Sequence, residues 1–103
     1  MHSLKEIQFD WDLWNIQKNE IKHGVSALEA ESCFSDENGS LFEDLKHSST
    51  LEKRYLLYAK SMESRIMMAA FTIRKNKIRI ITVRPASRKE RNIYEEEKKK
   101  HHH

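Results

Sequence analysis

The sequence predicts an α+β fold: a small antiparallel sheet packed with two N-terminal helices and one C-terminal helix, in the order βααββββα. Three observations carry this. Positions 54 to 84 hold three strand-like runs separated by breaks of only a few residues, which antiparallel hairpins can bridge and crossovers cannot. Two segments with helix start and stop signals precede them, and a third follows Pro85. No internal repeat or linker divides the chain, so residues 1–100 read as one domain, with His101–His103 resembling the remnant of a purification tag.

The elements follow in order. Leu4 to Trp11 read as a first strand, because Ile7, Phe9 and Trp11 alternate with Gln8 and Asp10. Asp12 offers an N-cap for a helix that runs to about His23 and ends at Gly24 as a C′ glycine. Trp14, Ile21 and Ile16 are its expected apolar face, and both Trp11 and Trp14 are expected in the core. Ser26 and Glu29 have capping-box spacing, and Ala27, Ala30 and Phe34, with Cys33 beside them, form one helical face. Asp36, Asn38 and Gly39 end that helix in a turn.

Ser40 to Leu45 is a weak strand and His47 to Thr50 a polar loop. Arg54–Ser61, Arg65–Arg74 and Lys77–Arg84 are the clearest strands; Ile66 to Ile73 is apolar on both faces and belongs at the sheet centre. Ser87 and Glu90 repeat the capping-box spacing and open a last helix that extends to about Lys99.

Composition narrows the function. The chain has 103 residues, 34% of them charged and 38% apolar, enough for one modest core. No apolar run is long enough to span a membrane, and no secretory leader pattern opens the chain. One cysteine, Cys33, fits a cytoplasmic protein and the core of a helix better than a nucleophile. Charge is unevenly divided: residues 1–73 carry a net of −4 and residues 74–100 a net of +7. A polyanion or an acidic protein suits the basic end, although Lys98–Lys100 supply part of the excess.

The cations sit where strands rarely carry them. Arg79 lies inside Ile78-Arg79-Ile80-Ile81, and Arg84 ends the same run. Strict alternation points Arg79 with Ile81 and Val83, and Arg84 to the opposite face with Ile80 and Thr82. Arg54 shares a face of the neighbouring strand with Leu56, Tyr58 and Lys60. A half-buried guanidinium needs an anion, either an internal carboxylate or a bound phosphate. Acidic residues are scarce between positions 64 and 90, which favours phosphate, with Glu43, Asp44, Glu52 or the Glu95–Glu97 run as the internal alternative. Clustered arginines bind RNA and stabilise the extra negative charge of phosphoryl transfer. No metal-ligand spacing, phosphate-cradling glycine loop or serine-hydrolase elbow is present, and His23 and His47 stand apart from clustered carboxylates. No metal or other cofactor is expected.

The ordered residues resemble a known family. Phe9-Asp10-Trp11-Asp12, Asn19, Lys22-His23-Gly24-Val25-Ser26, Glu29-Ala30 and Phe34 resemble the opening motif of BrnT toxins. Arg54, Ile78-Arg79-Ile80-Ile81, Arg84, Ala86, Arg88, Glu90-Arg91 and Tyr94-Glu95 resemble its closing motif. Together these cover about residues 7–96. Asn15, Ala27, Ala59 and Pro85 depart from residues common in the family, all outside the cation cluster. The resemblance implies a RelE-like fold and a type II toxin that cleaves RNA and arrests translation. It also implies a cognate antitoxin with a ribbon-helix-helix part. The two form a hetero-oligomer that represses its own promoter, so DNA is reached only through that complex.

On this reading Arg79, Arg54 and Arg84 are the leading catalytic candidates. His23 is a possible acid or base because its ordinary pKa is near neutrality. Lys22 and His23 also have a structural reason to sit at a helix C-terminus, where positive charge is favoured. Lys22, Arg74, Arg88 and Arg91 are candidates for holding RNA. Tyr94 suits the core better than a catalytic acid, and Met67 and Met68 fill the core. The competing reading is a non-catalytic module that binds nucleic acid or antitoxin, and a third is an inactive co-repressor.

Overall fold

The computed structural model describes residues 7–100. The elements are α1 (Leu13–His23), α2 (Ala27–Ser32) with a 3-10 turn at Cys33–Ser35, β1 (Ser40–Glu43), β2 (Arg54–Lys60), β3 (Ile66–Arg74), β4 (Lys77–Pro85) and α3 (Arg88–Lys100). The strands form one antiparallel sheet in chain order, β1-β2-β3-β4, so the three-helix, four-strand order expected from the sequence is observed. Of the first strand, Leu4 to Glu6 lie outside the described residues. The remainder makes a single parallel bridge, Phe9 to Ile78.

Local chemistry sets most boundaries. Asp12 caps α1 by accepting from the Trp14 amide at 2.8 Å. Gly24 ends it at φ 64°, and its amide donates to the Asn19 and Glu20 carbonyls. Lys75 and Asn76 both have positive φ, 51° and 64°, giving the two-residue turn whose twist matches a hairpin. Ser87 and Glu90 make a reciprocal capping box. Ser26 caps α2, but Glu29 does not return the bond. Its buried carboxylate accepts from Ser61 Oγ and Arg65 instead.

One sheet face buries the main core. Leu57, Ala59, Met67, Ala69, Phe71, Ile80 and Val83 meet Val25, Ala30 and Cys33 there. Phe9, Phe34, Phe71 and Tyr55 continue it as a chain of ring contacts 5.0–5.4 Å apart. Burial pushes the Cys33 thiol up to about 12, consistent with a core side chain. Trp11 is half-buried and donates from Nε1 to Glu31.

The expected apolar face of α1 is corrected. Trp14 is 70% exposed and Ile21 88% exposed. The helix instead turns Asn19 inward, where Oδ1 accepts from the Val83 amide at 3.3 Å. That bond caps the outer edge of β4, which has no strand neighbour along this stretch. Asn19, rather than Trp14 or Ile21, takes the buried position on α1, with Ile16 half-buried. Among the described residues, no helix is long and apolar enough to cross a membrane.

Candidate functional site

The second sheet face is only partly covered. Tyr94 and Ile93 of α3 pack on Tyr58, Met68, Ile66, Leu56 and Ala70. Tyr94 is buried and donates its hydroxyl to Asp36 at 2.7 Å. Towards the β3–β4 hairpin this face opens into a cleft of about 400 Å³, lined by Asp44, His47, Arg54, Leu56, Met68, Ala70 and Thr82.

Register determines which cations reach that face. Arg54 pairs with Thr72, and Thr72 with Arg79. Directly paired residues of antiparallel strands share a face, so Arg54 and Arg79 flank Thr72 about 10 Å apart at two strand spacings. Further along, Ala70 pairs with Thr82 but Phe71 with Ile80, leaving Ile81 as an extra residue. This bulge resets the alternation. Ile80 and Val83, three positions apart, both point into the main core. Arg79, Thr82 and Arg84 therefore share the opposite face, with Arg84 paired to Met68. Strict alternation had separated Arg79 from Arg84; the bulge unites them.

The preference for phosphate over an internal carboxylate is corrected for Arg74, Arg79 and Arg84, each of which has an internal partner. Arg79 Nη2 lies 3.0 Å from Asp10 Oδ2, and its buried Nε has no partner among the described residues. Arg84 makes a two-point contact with Glu90 at 2.8 and 2.9 Å. That contact holds the Glu90 carboxyl below the usual range and raises Arg84. Arg74 meets Glu52 Oε2 through Nε and Nη2 at 3.0 and 2.8 Å, which lowers Glu52. The scarcity of acidic residues after position 64 misled because the partners come from far away in sequence or from the next helix. Arg54 is the least engaged. Its Nε is 3.5 Å from Glu52, beyond good hydrogen-bond length.

The remaining predicted residues lie apart from this cleft. His23 is half-buried at the end of α1, and burial followed by the charges of Lys22, Arg84 and Lys18 lowers its pKa. It approaches the Arg84 end, not the cleft beside Arg54. Lys22 is exposed on the same helix end. Arg88 and Arg91 are on α3; Arg91 donates to the Ala86 carbonyl, and Arg88 lines a separate groove with Ile93 and Glu97.

His47 was expected to be isolated and is not. Its Nδ1 is 2.8 Å from Asp44 Oδ2, and both line the cleft with Arg54. Ser48 locks the intervening loop: its Oγ donates to the Asp44 carbonyl and accepts from the Arg54 amide. The only advance signal was a histidine three residues after an aspartate, in a loop without periodicity.

The family model described as the ribonuclease toxin BrnT of a type II toxin–antitoxin system matches residues 11–90. The 1.1 Å crystal structure of the Brucella abortus ribonuclease toxin BrnT has a similar fold, with a TM-score of 0.58 at 20% sequence identity. The match covers 80% of this chain and 99% of that one. No curated protein sequence matches the chain.

Proposed function

Because the chain belongs to the BrnT family of type II toxin–antitoxin ribonuclease toxins, we propose that it cleaves RNA on the open face of its sheet. The observation that carries this is the gathering of Arg54 and Arg79 on that face by strand register, joined by Arg84 through the bulge at Ile81. An RNA phosphate lies across Arg54 and Arg79, exchanging with Asp10 and Glu52 for their guanidiniums. Fixed guanidiniums stabilise the charge that grows on the phosphoryl oxygens. RNA supplies the attacking 2′-hydroxyl, so the reaction needs no metal ion. Arg84 continues the clamp, and Arg74, Lys22, Arg88 and Arg91 hold the flanking strand. His23, near Arg84, is one candidate proton carrier.

The toxin acts in the cytoplasm and arrests translation. A ribbon-helix-helix antitoxin neutralises it, and their complex represses its promoter. The test is cleavage of RNA by purified protein in excess chelator, with growth arrest on expression. R54A and R79A are expected to lose both while still binding antitoxin. The internal pairing of Arg74, Arg79 and Arg84 favours a second reading, in which the basic face only docks a partner. Loss of antitoxin binding by R79A, with no cleavage by the unaltered protein, selects that reading.

A further inference from the structure

We propose that His47 is the general base of the cleavage reaction and that Asp44 positions it, an inference that rests on the ribonuclease reading above. Three observations converge on this pair. A carboxylate only accepts, so the 2.8 Å contact with Asp44 is made by a hydrogen on His47 Nδ1, and in the neutral imidazole this tautomer has Nε2 as its acceptor. Asp44 is mostly covered while His47 is 58% exposed, so the anchor is fixed and the ring faces solvent at the cleft. The loop joining them to Arg54 is tied at both ends by Ser48 Oγ, and the Asp44 amide donates to the Arg54 carbonyl at 2.7 Å. The base and the least engaged phosphate-binding arginine are therefore mounted on one braced turn. His23 has no carboxylate partner among the described residues and is surrounded by cations.

The step balances without a cofactor. Nε2 of His47 takes the proton of the ribose 2′-hydroxyl as that oxygen forms a bond to the adjacent phosphorus. The bond from phosphorus to the 5′-oxygen of the next nucleotide breaks. The departing oxygen takes a proton from water, and the resulting hydroxide is neutralised by the imidazolium. The products are a 2′,3′-cyclic phosphate and a free 5′-hydroxyl. His47 touches the reacting hydroxyl; Asp44 acts only through His47.

The experiment compares single-turnover cleavage of one defined RNA by the unaltered protein and by H47Q, H47A, D44N, H23Q and the H47Q/D44N double variant. RNA binding and melting temperature are measured alongside. H47Q is expected to slow cleavage on the order of 10²- to 10⁴-fold with binding and melting unchanged. Added imidazole is expected to restore part of the rate of H47A. D44N loses less than H47Q and adds nothing to it, the non-additivity of residues acting as one unit. The RNA ends are cyclic phosphate and 5′-hydroxyl, and a 2′-deoxy sugar at the cut blocks the reaction. Undiminished cleavage by H47Q overturns the inference, as does cleavage abolished by H23Q alone. Cutting of the deoxy-substituted site has the same effect. If the unaltered protein cuts no RNA at all, the ribonuclease reading itself fails.

Discussion

Replacing Asp10 with asparagine is expected to tighten RNA binding, because Asp10 and a phosphate compete for the same guanidinium. The Arg79–Asp10 contact is 3.0 Å, with the two side chains 28% and 37% exposed. Pairs this accessible are worth about 1 kcal/mol or less, and RNA must break the pair to use Arg79. A displaced carboxylate would also remain about 4 Å from the incoming phosphate, a repulsion of about 1 kcal/mol in water-like surroundings. D10N removes both costs, so the expected gain is at most about 2 kcal/mol, an upper limit of roughly 30-fold in Kd. R79A should do the reverse, losing about 1.5–3 kcal/mol of charge-assisted hydrogen bonding. It should also reduce the slope of log K against log salt by about 0.7 for the lost phosphate contact. Fluorescence anisotropy with an RNA made uncleavable by 2′-deoxy substitution, titrated at several salt concentrations, reads both effects. If D10N binds no more tightly than the unaltered protein, and R79A leaves the salt slope unchanged, Arg79 is a structural ion pair and no phosphate reaches it.

Other outcomes test the scaffold. E90Q keeps an acceptor for the Ser87 amide but replaces the carboxylate oxygen that meets Arg84 Nη2 with an amide nitrogen, and should cost about 1–3 kcal/mol in urea unfolding. Because the folded Glu90 carboxyl is depressed, its contribution is present above the ordinary glutamate pKa and disappears as pH falls through the folded value. E90Q should therefore flatten the acid side of a melting-temperature profile. Y94F deletes the 2.7 Å bond to Asp36 and should cost about 1–2 kcal/mol, with Asp36 still held by the Lys60 and Asn38 amides. G24A meets no atom within 4 Å of the new Cβ. Its cost, about 1–2 kcal/mol from φ 64° alone, should appear in thermal melts without affecting RNA cleavage.

What could be read in advance followed from local rules. Caps at Asp12, Ser26 and Ser87, the Gly24 stop and the Lys75–Asn76 turn depend on neighbours within a few residues, so the sequence displays them. Ile78 to Val83 alternates apolar with polar residues except at the doublet Ile80-Ile81, where the bulge lies, so that slip was the available signal and strict alternation passed over it. The arginines were singled out in advance, but the carboxylate partners of Arg79 and Arg84 were not: Asp10 and Arg79 lie 69 positions apart. Trp14 and Ile21 were misplaced because hydrophobicity was weighed without the edge of β4, which claims Asn19 instead. The His47–Asp44 pair lies in a loop, where spacing carries no orientation.

The unpaired residue at Ile81 makes chain length, rather than side-chain identity, the determinant of where this strand presents its charge. Deleting Ile81 would leave a regular ladder with Arg79, Thr82 and Arg84 still on one side, whereas pairing Ile81 with Ala70 would turn Arg84 inward and Val83 outward.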